Sequence, residues 1–424
     1  MGAKTRNLSN TAGIDIEWQG VQTGNFTAVA GRGYFVDTTN NTITVTLPGS
    51  PSQGDTVVLK DYARTWGTNN VTIASTLFDG STNASTFSTQ GQTVTLVYMD
   101  GTKGWSLINE DTTTGLGAEY IAATGGTITT SGDYKIHTFT GDGCFVVSSA
   151  GNPLGSTSVD YLVVAGGAGG SATRGGGGGA GGYRESSGAA SGCYTASPLG
   201  ACVSGITVSA TTYPVTVGAG GVGGDPSQGT DGSNSVFSTI TSTGGGAGAT
   251  PSQNALSGGS GGGGVSPGGP SNAGGSGNTP PVSPPQGNNG GIGAGPPKYG
   301  AGGGGGATAN GIGGNTSGDG GDGGAGAGTG INPSACVGQP GPSPTLRYFA
   351  GGGGGAAFCV PAGFMGFGGT GGGGPAGGPS ESGGDAGATN TGSGGGGGYH
   401  PGPPTEEAGG AGGKGIVIIR YKFQ

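Results

Sequence analysis

The side chains that could do chemistry in the second half of this sequence stand in short islands between runs of glycine. Aromatic residues and arginine stand out in these islands, and such residues carry much of the binding energy at protein interfaces. The islands therefore indicate recognition by contact, although any one of these side chains could instead pack against the edge of the glycine-rich body. The candidate contact residues are Tyr194, Tyr299, Arg347, Tyr348, Phe349, Phe364, Phe367, Tyr399 and His400.

Motifs for catalysis or cofactor binding are not found. The two histidines, His137 and His400, are far apart, and neither HExxH nor GxSxG occurs. A GxGxxG-like string follows YLVV, but no helix-forming sequence comes after it, so it does not predict a dinucleotide site. We expect no enzyme activity, cofactor or metal. A glycan depolymerase is a remaining alternative, and it would need clustered carboxylates, of which the main late ones are Glu381, Asp385, Glu406 and Glu407.

The five cysteines do not form a recognisable framework. Their number is odd, their spacing is uneven and no CxxC occurs, so neither a set of disulfides nor a zinc site is indicated. Cys193 and Cys202 flank one island and could form a local bridge. The alternative is five free thiols.

Composition excludes two classes of partner. Net charge is −8 and there is no cluster of Lys or Arg, whereas nucleic-acid binding needs a basic footprint. No apolar run reaches the 18 or so residues of a membrane-spanning helix, so we expect no membrane insertion. Glycine is very unevenly distributed, since 91 of the 113 glycines fall in residues 165–415.

The rest of the chain reads as β-structure. Short β-branched stretches such as GYFVDTT, TITVTLP and DTVVLKDYA recur about every 8 to 12 residues, which is typical of a β-sandwich or barrel. The final stretch IVIIRYKF has no partner nearby in sequence, so we expect it to pair with the strand at 135–140 or at 161–164. The glycine-rich body is then an insertion between strands of one small sheet.

The predicted fold class is therefore all-β, divided into five segments. They are an attachment arm (1–20), a β-sandwich module (21–112), a β connector with clasp strands (113–165), a glycine-rich bundle with variable loops (166–415) and a closing strand (416–424).

Three structures compete for the glycine-rich body. Disorder is what the composition alone suggests, and collagen would need glycine at every third position without lapse. We favour a bundle of polyglycine-II helices, which have three residues per turn and no internal hydrogen bonds. Because glycine has no side chain, such helices approach closely enough to bond one another through their backbones. The apolar strands at both ends would then hold the bundle shut.

Both halves resemble known proteins. NFTAVAGRGYFVDTT to KGWSLINE resembles a β module of tail-fibre-like structural proteins of cyanophages, and YLVVAGG, GGYRES, VTVGAGG and GIVIIRY resemble the frame of a glycine-rich domain at the ends of such fibres. That domain is similar in plan to phage adhesins whose loops between glycine runs bind host receptors. The resemblance implies a virion protein of the distal tail fibre, with a bacterial surface glycan or outer-membrane protein and other phage tail or fibre proteins as partners.

Two questions stay open at this point. Phage fibres are usually trimers, so the resemblance implies a homotrimer, but a glycine bundle of this size could also stand alone as a monomer. The alternative function is a glycine-rich extracellular structural or filament-forming protein without a dedicated receptor.

Overall fold

The computed structural model describes residues 16–75, 77–108, 118–153, 155–192, 194–200, 202–265, 272–358, 364–378, 383–400 and 407–424. The chain divides into two compact units, Met1–Glu119 with Asn152–Gly155, and Tyr120–Gly151 with Ser156–Gln424. Strands and irregular segments make up the described part, where one 3₁₀ turn at Pro198–Gly200 is the helical element, so the all-β prediction is confirmed. The finer division into five segments stays a prediction, and most of the attachment arm lies outside the described residues.

The first unit contains two sheets around one core. Strands β1 to β9 span Glu17–Trp18, Phe26–Thr27, Arg32–Val36, Ile43–Thr46, Thr56–Asp61, Val71–Ala74, Ser85–Phe87, Thr93–Asp100 and Gly104–Leu107. One sheet has the order β1-β3-β5-β8-β9 and the other β2-β4-β6-β7. Trp66, Phe87 and Trp105 lie fully buried in the shared core, with alternate strand residues pointing inward.

Consecutive strands at the start of this unit alternate between the two sheets. β3 pairs in parallel with β5, while β4, between them in sequence, belongs to the other sheet and pairs in parallel with β6. A parallel pair needs a crossover connection, usually a helix. Here the crossover contains a strand of the opposite sheet, which explains why strand-like stretches follow one another with no helical pattern between them.

The second unit contains the remaining strands. Strands β10 to β22 span Ile121–Thr124, Thr127–Ser131, Tyr134–Phe139, Gly143–Ala150, Ser158–Val164, Tyr183–Glu185, Ile206–Thr207, Thr212–Thr216, Ser235–Phe237, Ile240–Ser242, Ala327–Thr329, Arg347–Phe349 and Ile416–Lys422. One sheet has the order β10-β13-β17-β18-β19. A second sheet, β11-β12-β22-β14-β15 with β16 also paired to β14, is called the clasp sheet below, and β20 and β21 form a separate two-stranded sheet.

The closing strand β22 lies in the middle of the clasp sheet, antiparallel to both β12 and β14. The predicted return of the chain to pair with these strands is therefore confirmed, with both alternatives realised at once. Residues on one face of β22, such as Val417 and Ile419, pack with the first sheet of this unit. Residues on the other face, Ile416 and Ile418, pack against Phe349 and the glycine-rich body.

The glycine-rich body consists of extended segments joined to one another by backbone hydrogen bonds. Segment 175–182 shows this pattern along its whole length. Its successive amides donate in rotation to segments 392–398, 243–249 and 302–305, so every third amide returns to the same neighbour. Its carbonyl oxygens accept amides from three further segments, 353–356, 165–171 and 260–263. One glycine segment thus has six hydrogen-bonded neighbours, and each of its eight amides has a backbone acceptor on a neighbouring segment.

Glycine is required in these segments because of the close approach of the backbones. A Cβ added to Gly176 would overlap the carbonyl oxygen of Gly263, and one added to Gly177 would overlap that of Gly353. Both glycines are buried, and neither has a positive φ. The side chain is therefore excluded by the neighbouring backbone and not by the local conformation.

The segments run alternately away from the clasp sheet and back towards it. Segment 165–171 continues from β14, and segment 175–182 returns antiparallel to it and leads into β15. The connecting turns consequently gather at two ends. We call the end far from the clasp sheet the tip; its described turns are 172–174, 225–228, 251–253, 295–299 and 315–319. The opposite end, which includes 278–286, 307–310 and 330–346, is the sheet end.

Candidate functional site

The tip brings together aromatic and cationic side chains from turns that are distant in sequence. Phe358 is the centre of this group. Its ring lies 5.8 Å from the ring of Tyr299 and 6.1 Å from that of His400, and the guanidinium carbon of Arg174 stands 4.9 Å above it. A backbone bridge between Phe358 and His400 fixes the two turns to each other. Two of the predicted contact residues, Tyr299 and His400, therefore belong to one cluster.

A cavity of about 310 Å³ opens beside this cluster. It is lined by Thr173, Arg174 and His400, by Pro226 and Ser227, and by the turn 250–253. Thr173 and Arg174 both adopt the left-handed conformation, with φ of 51° and 60°. Sequence reasoning missed Arg174, the last residue of the short stretch SATR between two glycine runs, because its position beside the cavity appears only in the fold.

Two predicted contact residues form an exposed pair near the tip. Phe364 and Phe367 are 46% and 63% exposed, which is unusual for large apolar side chains. Their carbonyl oxygens accept amides from the same neighbouring segment, at Gly320 and Gly323. The spacing of three residues therefore repeats the period of the segments and places both phenylalanines on one side of their segment. Tyr399, by contrast, is buried.

The other four predicted contact residues lie at the sheet end, where they pack and bond within the protein. Tyr194 donates from its hydroxyl to the carbonyl of Ser186 at 3.1 Å. The Arg347 guanidinium donates to three backbone carbonyls of the loop 335–338. Tyr348 accepts the amide of Ser343 at 3.2 Å. Phe349 has no exposed surface and lies in the core between the clasp sheet and the glycine-rich body.

Buried carboxylates fix this sheet end, and sequence reasoning missed them. Asp160 accepts hydrogen bonds from the hydroxyl of Ser186, the amide of Gly188, and both the amide and the hydroxyl of Ser191. Glu185 accepts the Tyr183 hydroxyl at 2.8 Å. Burial raises the pKa of Glu185, while hydrogen bonds to its carboxylate oppose the shift. These hydrogen bonds hold the residues that follow β15 in place. The buried carboxylates are inaccessible to a binding partner.

A cation is also buried at the sheet end. Arg420 is 5% exposed, and its guanidinium carbon lies 4.4 Å from the ring centre of Tyr134 and 5.3 Å from that of Tyr194. Burial lowers the pKa of Arg420, and the neighbouring tyrosines and Asp160 raise it. Stacking between two rings is a favourable setting for a guanidinium. Tyr194 therefore packs against Arg420 of the closing strand β22.

Metal and membrane features were sought in the described part of the chain. Within those residues no group of three or more His, Cys, Asp or Glu side chains could hold a metal ion. The described residues also contain no helix with the length and apolarity that crossing a bilayer requires. Cys144, Cys202 and Cys336 are free thiols, while Cys193 and Cys359 lie outside the described residues, as do Glu381 and Glu406.

Comparison with known proteins gives one result for the second unit. A family model described as a glycine-rich domain matches residues 147–422. The match begins within β13 and ends with β22, so it contains most of the clasp sheet together with the whole glycine-rich body. No curated protein matches the chain.

Proposed function

This chain belongs to the glycine-rich domain family, and on that premise we propose that it is a phage virion adhesin whose tip binds a receptor on the host cell. The proposal has three parts: a rigid body made of polyglycine-II helices, recognition by side chains of the tip turns, and attachment to the virion through the first unit.

The period of the hydrogen bonds supports the proposed rigid body of polyglycine-II helices. A polyglycine-II helix has three residues per turn, so its amides point in three directions and every third one meets the same neighbour. The rotation of segment 175–182 among its neighbours has this period. Each net hydrogen bond stabilises by only about 0.5–1.5 kcal/mol and glycine loses much entropy on folding. The apolar core around Ile418 and Phe349 supplies the further stabilisation that the glycine segments lack.

Recognition at the tip is supported by one observation: turns from distant parts of the chain converge there and carry the side chains that the glycine segments do not have. The cluster of Arg174, Tyr299, Phe358 and His400 and the exposed pair Phe364 and Phe367 belong to this region. Turns on a rigid scaffold are common sites of binding. Exposed aromatic rings suit the apolar faces of sugars as well as protein surfaces, so a surface glycan or an outer-membrane protein fits as the receptor.

The first unit would attach the protein to other phage tail or fibre proteins. It has its own core of buried aromatic and aliphatic side chains, separate from the glycine-rich body. Exposed Trp18 stacks on Phe35 with a ring distance of 4.7 Å and forms an apolar spot on this unit. A homotrimer on a fibre is the assembly we propose, and the location is the distal end of a tail fibre.

The experiment is binding of the fluorescently labelled full chain to a panel of marine bacteria. We expect binding to some strains and not to others. The double variant Phe364→Ser, Phe367→Ser should lose most of this binding, whereas Val222→Ser, which changes another exposed apolar residue of a glycine segment, should keep it. Equal binding to every strain, or none, would reject the adhesin proposal. Full binding by the double variant would reject the role of this pair.

A self-associating structural protein remains the second candidate, because a further apolar edge is exposed. Ile292 and Ile312 are 59% and 57% exposed and lie on neighbouring segments, since the amide of Gly314 bonds the carbonyl of Ile292. Exposed apolar patches often mark protein contacts. Sedimentation of the full chain separates the candidates: open-ended growth that Ile292→Ser and Ile312→Ser abolish indicates a filament, and a closed trimer or monomer indicates the adhesin.

A further inference from the structure

We propose that the cavity beside Arg174 is a subsite for one acidic sugar residue, held through its carboxylate group. This inference rests on the proposed receptor binding at the tip and names the chemical class of the receptor, a polysaccharide that contains carboxylated sugars.

The size and lining of the cavity suit a single sugar. A volume of about 310 Å³ is at the lower end for ligand pockets, and a monosaccharide fits it. Thr250 and Ser252 offer hydroxyl groups, Gln253 offers an amide, and Pro226 offers an apolar face. The hydroxyl and amide groups can form hydrogen bonds with sugar hydroxyls, and the proline ring can pack on the carbons of the sugar ring.

The charge of the lining favours an anion. Arg174 is the cationic side chain of the wall, and the described lining residues include no aspartate or glutamate. This is notable in a protein with a net charge of −8. A guanidinium binds a carboxylate through two parallel hydrogen bonds, which makes arginine suited to carboxylate recognition. The guanidinium carbon of Arg174 lies 4.9 Å from the ring centre of Phe358, so the cation is held over an aromatic face beside the cavity.

The backbone at this point is strained in a way that glycine would relieve. Thr173 and Arg174 are consecutive residues with positive φ, a conformation that non-glycine residues rarely adopt. Glycine is the usual residue at such positions and follows immediately as Gly175. Among the described residues, this is the only place where two consecutive non-glycine residues have positive φ.

Two buried polar atoms of residues that line the cavity also lack a hydrogen-bond partner within the described residues. The hydroxyl of Thr173 and the Nε of Arg174 are inaccessible to solvent and make no hydrogen bond within the described residues. Buried polar groups are nearly always paired. A bound sugar acid that shifts the Arg174 side chain towards the cavity would let both donors find acceptors.

The test uses the full chain and two probes that differ in one group, methyl β-D-glucuronide and methyl β-D-glucopyranoside. Saturation-transfer NMR and calorimetric titration should show the glucuronide bound at least about tenfold more tightly, the range expected for charged hydrogen bonds. Arg174→Asn, which tolerates the left-handed conformation, should lose that preference. The matched control is Arg64→Asn, because Arg64 has the same φ of 60° and lies in the first unit. It should bind as the unaltered protein does.

The outcomes separate the subsite from the adhesin. Equal or absent binding of the two probes by the unaltered protein overturns the acidic-sugar subsite, even if Arg174→Asn does not fold. So does an Arg174→Asn variant that folds and keeps the preference. If the same protein still binds particular bacterial strains, the subsite alone is rejected and the adhesin stands. A preference for the glucuronide without strain-selective cell binding supports the subsite and rejects the adhesin.

Discussion

A Cβ atom added to Gly394 would lie far inside the van der Waals contact distance of the Gly178 carbonyl oxygen. The same position faces the amide nitrogen of Gly353 at 2.9 Å, so backbone stands on both sides. Because neither neighbour is a flexible side chain, the contact cannot be relieved by a change of rotamer. The interior of the glycine-rich body therefore consists of backbone packed on backbone.

Gly394→Ala should accordingly destabilise the second unit by about 3 kcal/mol or more, the upper part of the range for overpacked cores. Gly141→Ala is the control, since an added Cβ there meets only the ammonium of Lys414, at 3.6 Å. Chemical denaturation followed by circular dichroism gives both values. An alanine at 394 as well tolerated as one at 141 would contradict close packing of the segments.

The amides of the glycine segments should exchange slowly with solvent. The Gly178 amide bonds the Gly395 carbonyl at 2.8 Å inside the body, so exchange requires opening of several segments. Protein labelled with ¹⁵N-glycine allows a direct comparison with Gly24, which is exposed in the first unit. Equal exchange rates at the two positions would show that the segments do not form the hydrogen-bonded body described above, and the polyglycine-II proposal would fall with it.

The closing strand should be the main source of apolar stabilisation in the second unit. Ile418 is fully buried at the centre of the clasp sheet and packs towards the glycine-rich body. We expect Ile418→Ala to lower the free energy of unfolding by about 2–5 kcal/mol. Ile128→Ala, on the edge strand β11 where the side chain is 44% exposed, should cost less than about 0.5 kcal/mol. Denaturant titration measures both free energies of unfolding. Similar decreases in the two variants would mean that β22 is not the main source of apolar stabilisation.

Acid should weaken the second unit through His137. Burial is the main cause that lowers the pKa of His137 from the ordinary value of 6.5, and the hydrogen bond to the Gly125 carbonyl opposes it. Because Nδ1 donates to that carbonyl, Nε2 is left to accept the Tyr421 hydroxyl, at 3.1 Å. The folded state thus prefers the neutral ring. The stability that the neutral His137 ring gives the folded state is fully present above pH 6.5. It is lost as the pH falls through the lowered folded-state pKa of His137.

The free energy of unfolding, measured between pH 5 and 8, should therefore fall towards acid in the unaltered protein. In His137→Gln this slope should be reduced, although stability at pH 7 also drops because the ring leaves its place between Phe145 and Tyr421. His400→Gln changes the other histidine of the chain and should keep the slope. Equal slopes in all three proteins would exclude His137 as the cause.

The strands could be predicted from the sequence because their signals are local. Alternation and β-branched residues indicated GYFVDTT and TITVTLP, which correspond to β3 and β4. The apolar stretch IVIIRYKF predicted that the closing strand pairs with the strand at 135–140 or at 161–164, and β22 pairs with both. The parallel order of the first unit could not be predicted, because short connections between strands normally indicate hairpins, and nothing in the sequence reveals that a connecting stretch belongs to the opposite sheet.

The candidate site was predictable in residue type but not in position. Whether an island reaches the tip or the sheet end depends on how many times the chain has reversed before it, and glycine runs give no signal of where one segment ends. Arg347 and Phe364 therefore look equivalent in sequence, yet one supports a loop beside the clasp sheet and the other is exposed near the tip. Arg174 escaped notice because the backbone strain that marks it appears only in the fold.

The exclusion of a Cβ atom from the glycine segments also limits how the gene can change. Glycine is encoded by GGN, and every change at the first or second base of such a codon brings in a residue with a side chain or a stop signal. Segments such as 175–182 can therefore drift almost only through silent third bases, while the turns between them accept substitution and insertion. Steric exclusion therefore confines most heritable variation in a molecule of this kind to its two ends.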